Sequence, residues 1–215
     1  MPRRALVDHR PWLLAGIVLA IAFWVLSDAR IGGLFIIALK GASVAALAAY
    51  ALARSRATAA RMIAAVMAIG AAGDIGMELY VTVGAAFFLV GHLVAIWLYR
   101  LNARPDPSGS QLGTAAALVL GVPVVGWLLT GDLLVVIYAL ALGTMAGSAW
   151  LSRFSRYHVG VGALLFVASD LLIFARLGGA LDQAVTEWFV WPLYYAGQFL
   201  ICTGVVRTVR RDHAA

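Results

Sequence analysis

Asp74, Asp170, Lys40 and His92 all stand inside long apolar stretches of the chain. Ionisable side chains in such surroundings are costly to keep from water and by default mark a functional site. Two carboxyls beside one ammonium hold net negative charge if all are ionised. A dry environment penalises that charge, which favours one carboxyl in its neutral form and so provides one acid and one base. Such a pair suits chemistry in which one carboxylic acid donates a proton while its partner handles water. Glu78 follows Asp74 by four residues on the same helical face. Phe88 and His92, and Tyr194 and Gln198, repeat that spacing, with Tyr195 next to the last pair. Structural roles compete with each of these assignments. An aspartate can be an acceptor between helices, His92 a donor, and Lys40 the ion-pair partner of one aspartate. Gly73, Gly91 and Gly197 directly precede Asp74, His92 and Gln198, and small residues there allow close helix approach without any ligand.

The elements that must hold these groups follow from composition. Of 215 residues, 63% are hydrophobic and 12% charged, against ~45–50% and ~25% in soluble domains. A membrane-spanning helix needs ~17–25 mostly apolar residues. That ruler divides the chain into eight segments, at 11–26, 31–52, 61–78, 82–100, 112–129, 132–151, 159–176 and 187–206. The expected fold is all-α: a polytopic integral membrane helical bundle of eight transmembrane helices forming a single membrane domain over 1–215. The first segment could pass for a secretory signal, but Phe23-Trp24 stand where a small-residue cleavage site would precede Ser27-Asp28. Trp12, Trp24, Trp127, Trp150 and Trp188 fall near segment ends, as an interfacial aromatic belt requires.

Basic residues alternate between the two ends of these segments. Arg3, Arg4 and Arg10 precede the first, Arg54, Arg56 and Arg61 follow the second, and Arg100 and Arg104 the fourth. Arg153 and Arg156 follow the sixth, and Arg207, Arg210 and Arg211 the eighth; only Arg30 and Arg176 lie opposite. This bias predicts both termini in the cytoplasm and an address in the cell (inner) membrane. The net charge of +6 therefore reads as a topology signal, and no nucleic-acid partner is expected. Arg30 and Arg176 are expected among lipid headgroups.

In that frame Lys40, His92 and Asp170 lie about 12–15 Å from the outer boundary, with Asp74, Tyr194, Tyr195 and Gln198 about 6–15 Å from it. The inner half of the same segments is apolar, relieved by the uncharged Ser43, Tyr50, Thr144, Ser148 and Thr203. A transporter needs a polar path reachable from each side in turn. A polar slab that opens only towards the non-cytoplasmic half favours chemistry on a lipid, with a transporter or channel for a small polar or lipidic solute as the alternative, and a scaffold third. No metal or cofactor is expected: His9 and His213 lie in the tails and His158 in a loop, which leaves His92 alone in the slab. Neither a G-x-S-x-G elbow nor a P-loop pattern occurs. Cys202, the single cysteine, reads as a packing residue.

Four elements carry a family resemblance: Ala72-Gly73-Asp74-Ile75, Phe87-Phe88-Leu89-Val90-Gly91-His92-Leu93, Gly162 to Asp170 ending in Ser169-Asp170, and Tyr194-Tyr195-Ala196-Gly197-Gln198-Phe199-Leu200. In this order they resemble the YhhN family of membrane proteins, which includes animal lysoplasmalogenases. Lys40 suits the family's lysine in the second segment, although Gly41 stands where proline commonly follows. The resemblance implies an eight-span hydrolase that acts on a lysophospholipid within the membrane. It cleaves the vinyl-ether bond of lysoplasmalogens to a fatty aldehyde and a glycerophospho-alcohol. On that basis Asp74 and Asp170 are the expected acid and base pair. Lys40, His92, Tyr194, Tyr195 and Gln198 would orient water and the ether oxygen, and Glu78 would line the entrance.

Overall fold

The computed structural model describes residues 10–27 and 33–212. Arg3, Arg4, His9, Arg30 and His213 lie outside the described residues. The elements in order are α1 (Pro11–Leu26), α2 (Leu34–Arg54), α3 (Thr58–Leu79), α4 (Val81–Leu101), α5 (Gly109–Thr130), α6 (Leu133–Leu151), α7 (Val161–Leu177) and α8 (Gln183–Asp212). A π-helical turn, Arg156–Gly160, leads into α7. Among the described residues seven helices, α7 being counted with its π-turn, are long and apolar enough to cross a membrane, which marks an integral membrane protein. The shorter α1 has the bounds expected from sequence, yet its 16 residues rise only ~24 Å against a ~30 Å hydrocarbon core. Seven helices of spanning length and this shorter one stand where eight crossings were expected.

The chain forms two compact units: Met1–Gly91 with Val209–Ala215, and His92–Thr208. In the first, α1 packs on α2 and α2 on α3. Pro11 opens α1 at a position where its missing N–H costs nothing. Helix α2 runs unbroken through Lys40 and Gly41. A Cβ at Gly41 would stand 2.7 Å from Ile75 Cγ1 and 3.3 Å from the Ala71 carbonyl oxygen. Gly41 thus serves close packing of α2 on α3. The α3–α4 turn is equally tight: the Tyr80 N–H closes α3 on the Gly76 carbonyl at 2.7 Å, and a Cβ at Gly76 would lie 3.0 Å from Gly84 Cα.

In the second unit α5 and α6 form a hairpin, and α7 packs on both. Ser108 and Gln111 cap α5 reciprocally: the Ser108 N–H donates to Gln111 Oε1 at 2.7 Å, and the Gln111 N–H to Ser108 Oγ at 3.4 Å. Gly131, at φ 63°, ends α5 in the left-handed conformation that favours glycine. Asp132 then accepts from the Leu134 N–H at 2.8 Å to start α6. Two residues, Gly131 and Asp132, are therefore enough to separate α5 from α6. Leu120, Val124 and Leu128 on α5 remain exposed, as side chains facing lipid would be. The loops after α4 and α6 are clipped by a short antiparallel bridge between Ala103 and Ser152. The Arg104 N–H donates to the Leu151 carbonyl at 3.0 Å, and the Arg153 N–H to that of Asn102 at 2.8 Å.

Candidate active site

In the first unit the polar side chains sit on α2 and α3. Lys40 Nζ pairs with Glu78 Oε1 at 2.6 Å, with the two side chains 16% and 35% exposed. The ammonium also lies 5.5 Å from the centre of the Phe23 ring of α1, a cation–π distance. Depth predicts an aspartate as a partner of Lys40; the ion pair with Glu78 lies one helical turn beyond Asp74. Glu78 is the more exposed carboxylate, so less hydration is lost in forming this pair. Asp74 itself is buried, 2% exposed. The Phe88 ring covers the preceding residue so closely that a Cβ at Gly73 would meet it at 3.1 Å.

The second unit builds its polar group from α4, α6, α7 and α8. His92 Nε2 lies 3.2 Å from Tyr138 Oη, and that hydroxyl donates to Asp170 Oδ2 at 2.9 Å. A tyrosyl oxygen carries one hydrogen. With Asp170 ionised, Tyr138 gives it its hydrogen and accepts from His92, so the ring proton stands on Nε2 and the lone pair on Nδ1; with Asp170 protonated both bonds reverse. Ser169 Oγ lies 3.4 Å from Asp170 Oδ1 and 2.8 Å from the Phe166 carbonyl. Its single hydrogen serves the shorter contact, so Tyr138 is the principal donor to the carboxyl.

Aromatic edges fix this chain in place. The His92 ring meets Tyr138 and Phe166 edge-to-face at 5.4 and 5.2 Å, and Phe166 meets Tyr194 at 5.2 Å. Gln198 Nε2 donates to Tyr194 Oη at 3.3 Å, one turn along α8. The two helices that carry Asp170 and Gln198 touch through backbone: a Cβ at Gly162 would lie 2.8 Å from the Gly197 carbonyl oxygen, and one at Gly197 2.7 Å from that of Gly162. Close approach at Gly197, expected from its small size, is what lets Phe166 reach Tyr194. Gly91 has ordinary room, with Ile69 at 3.6 Å. Trp191 meets both tyrosines, tilted against Tyr194 at 5.6 Å and stacked on Tyr195 at 5.9 Å.

The structure thus brings together Lys40 with Glu78, His92 with Asp170, and Tyr194 with Gln198. Tyr138 is the residue missed from sequence. It lies six residues past Asp132, about 9 Å along the helix, within the slab that holds the other polar groups. Depth would have found it; a search confined to charged side chains passes over a phenol. The arrangement can hold a proton at Asp170 or at His92 and pass it between them through one hydroxyl.

The YhhN family model matches residues 35–205, a stretch that contains every side chain placed above. No curated protein and no solved structure matches the chain. Covering well over half of the sequence, the family match shows that the chain belongs to the YhhN family, the lysoplasmalogenase-like family of membrane proteins.

Proposed function

We propose that the protein is an intramembrane hydrolase of lysoplasmalogen-type lipids, with Asp74 and Asp170 as its acid and base. The observation that carries this reading is the buried chain His92–Tyr138–Asp170 in a lysoplasmalogenase-like family. Hydrolysis of a vinyl ether begins with proton transfer to the alkenyl carbon distal to oxygen. This leaves an oxocarbenium-like cation of the kind met in glycoside hydrolysis. Water adds to the carbon bound to oxygen and loses a proton to a base. The resulting hemiacetal then breaks its bond to the glycerol oxygen, giving an aldehyde and an alcohol. One proton enters and one leaves, so a carboxyl in contact with a proton store is suited to the cycle. Tyr138 couples Asp170 to such a store: once His92 takes up a proton at Nδ1, its Nε2–H can pass to the Tyr138 oxygen while the hydroxyl gives its own hydrogen to Asp170, which leaves His92 neutral. Lys40 and Glu78, half in contact with the surroundings, suit capture of a zwitterionic or anionic headgroup, and the apolar helix faces suit the alkenyl chain. In this reading the site opens towards the non-cytoplasmic half of the membrane and both termini are cytoplasmic.

The test is aldehyde release from a defined lysoplasmalogen by purified protein in detergent, with Asp74→Asn and Asp170→Asn alongside. Release by the wild type and none by either folded variant is the expected result. Substantial activity in a single variant would remove that residue from the pair. A silent, well-folded wild type would refute the substrate class.

A further inference from the structure

His158 stands on the π-helical turn Arg156–Gly160, twelve residues before Asp170 and so roughly 18 Å from it along the helix. Glycines let neighbouring helices hold this turn from two sides. A Cβ at Gly160 would meet the Trp150 ring of α6 at 2.7 Å, and one at Gly204 of α8 would lie 2.8 Å from His158 Cβ and 2.7 Å from Val159 Cγ2. Isolated π-helical turns are rare and are frequently found at functional sites. This one sets the imidazole between two polar side chains: His158 Nε2 lies 2.8 Å from Arg207 Nη1, and its Nδ1 lies 3.3 Å from Ser155 Oγ.

A guanidinium stays charged and can only donate. Nε2 therefore accepts from Arg207, the ring is neutral with its hydrogen on Nδ1, and Ser155 Oγ accepts that hydrogen. The serine keeps its own hydrogen to give elsewhere. Where Lys40 is answered by a carboxylate, Arg207 is answered by a neutral base, which orients the guanidinium without cancelling its charge. The remaining N–H groups of Arg207 and the Ser155 hydroxyl are thus donors on either side of one imidazole, and both residues are exposed. The ligand that matches them is anionic and accepts through several oxygens, as a phosphate group does. A bilayer supplies that group at this level. The π-turn and Arg207 lie near the ends of two helices long and apolar enough to cross a membrane, and Tyr157 beside them is 82% exposed, as suits a tyrosine among headgroups. A zwitterionic headgroup would bring its own cation to a place where the guanidinium is already uncompensated, so a net anionic lipid is the better fit.

We propose that Ser155, His158 and Arg207 form a binding site for the phosphate of an anionic phospholipid, with Arg207 and Ser155 as donors and His158 as the positioning residue. The site is independent of the reaction proposed above, because it rests on contacts at the far end of α7 from Asp170 and is read by binding and not by turnover.

The experiment is native mass spectrometry of the full chain in detergent, titrated with phosphatidylglycerol or with phosphatidylcholine, the folding of each variant being checked by circular dichroism. The expected result is one phosphatidylglycerol retained per chain, about tenfold more tightly than phosphatidylcholine, with the affinity lowered about tenfold in Arg207→Gln. Ser155→Ala, a change at an exposed position, should weaken binding by a smaller factor. His158→Phe keeps the charge of Arg207 but removes its acceptor, and should lose the preference between the two lipids. Arg61→Gln removes the same charge from an exposed residue of the first unit and should bind as the wild type does. Equal weakening in Arg207→Gln and Arg61→Gln would reduce the effect to diffuse surface charge and overturn the site. Unchanged binding in both Arg207→Gln and Ser155→Ala would overturn it too, as would equal affinity of the wild type for the two lipids. Displacement of bound phosphatidylglycerol by millimolar inorganic phosphate would overturn the assignment to a lipid in favour of a soluble phosphate.

Discussion

The two units solve the same problem, polar groups in an apolar protein, in opposite ways. Beside the buried Asp74, the first sets a fully charged pair, Lys40 and Glu78, and leaves both partly exposed. The second buries His92 and Asp170 to 3% and 6% exposure and links them through a neutral hydroxyl inside a frame of aromatic edges. The difference follows from desolvation. An ion pair that keeps contact with its surroundings retains part of its hydration, whereas a buried one must recover the whole loss from its partner. A hydrogen-bonded chain places fewer full charges in the dry region and is correspondingly sensitive to the removal of a single link. Exposure therefore separates the charged pair of the first unit from the hydrogen-bonded chain of the second.

That contrast can be broken at graded cost. Within the proposed reaction, Tyr138→Phe removes the link while keeping the ring, and should lower kcat by about 10²-fold with little change in KM. The pH–rate profile should shift with it, since Asp170 loses its donor; a purely structural tyrosine would leave that profile in place. Gly197→Ala sets a methyl group against the Gly162 carbonyl and should destabilise the fold by about 1–3 kcal/mol, read as a lower melting temperature. A weaker edge contact between Phe166 and Tyr194 would accompany it. Glu78→Gln should cost at most about 1 kcal/mol of stability, as partly exposed ion pairs do. Its effect should appear in KM for a charged headgroup and not in kcat. A loss of kcat in Glu78→Gln equal to that in Tyr138→Phe would erase the distinction between the units.

Sequence disclosed the helices more fully than the contacts between them. Hydropathy and the basic clusters locate α1 to its residue bounds and the other helices to within a few residues. The departures have local causes. Gly109, Ser110 and Gln111 resemble a polar loop, but the capping box with Ser108 makes them the first turn of α5. Helix α8 runs from Gln183 to Asp212, beyond the expected 187–206, because an apolar ruler measures the membrane-crossing part of a helix and not its polar ends. The π-helical turn before α7 leaves no mark in hydropathy. At the site, hydropathy picked out the polar residues within the helices, while partners depended on the rotation of each helix about its axis. Glu78 beside Lys40, and Tyr138 between His92 and Asp170, are both consequences of rotation. Tyr194 and Tyr195 show the same limit, since both meet Trp191 while Tyr194 also meets Phe166.

The bridge between Ala103 and Ser152 bears on how the molecule is assembled. Its two sides are separated in the chain by the whole α5–α6 hairpin, so its hydrogen bonds require that hairpin to have inserted and turned back first. The clip is therefore a late contact in biogenesis. Arg153 adds a side-chain tie, its Nε donating to Asn102 Oδ1 at 2.9 Å, so one residue fastens the later loop to the earlier through both backbone and side chain. A chain arrested before Arg153 is made lacks this fastening, and the loop after α4 is then held by neither bond. Completion of the α5–α6 hairpin is in this sense recorded at its base, by a latch that closes only once both flanking loops exist.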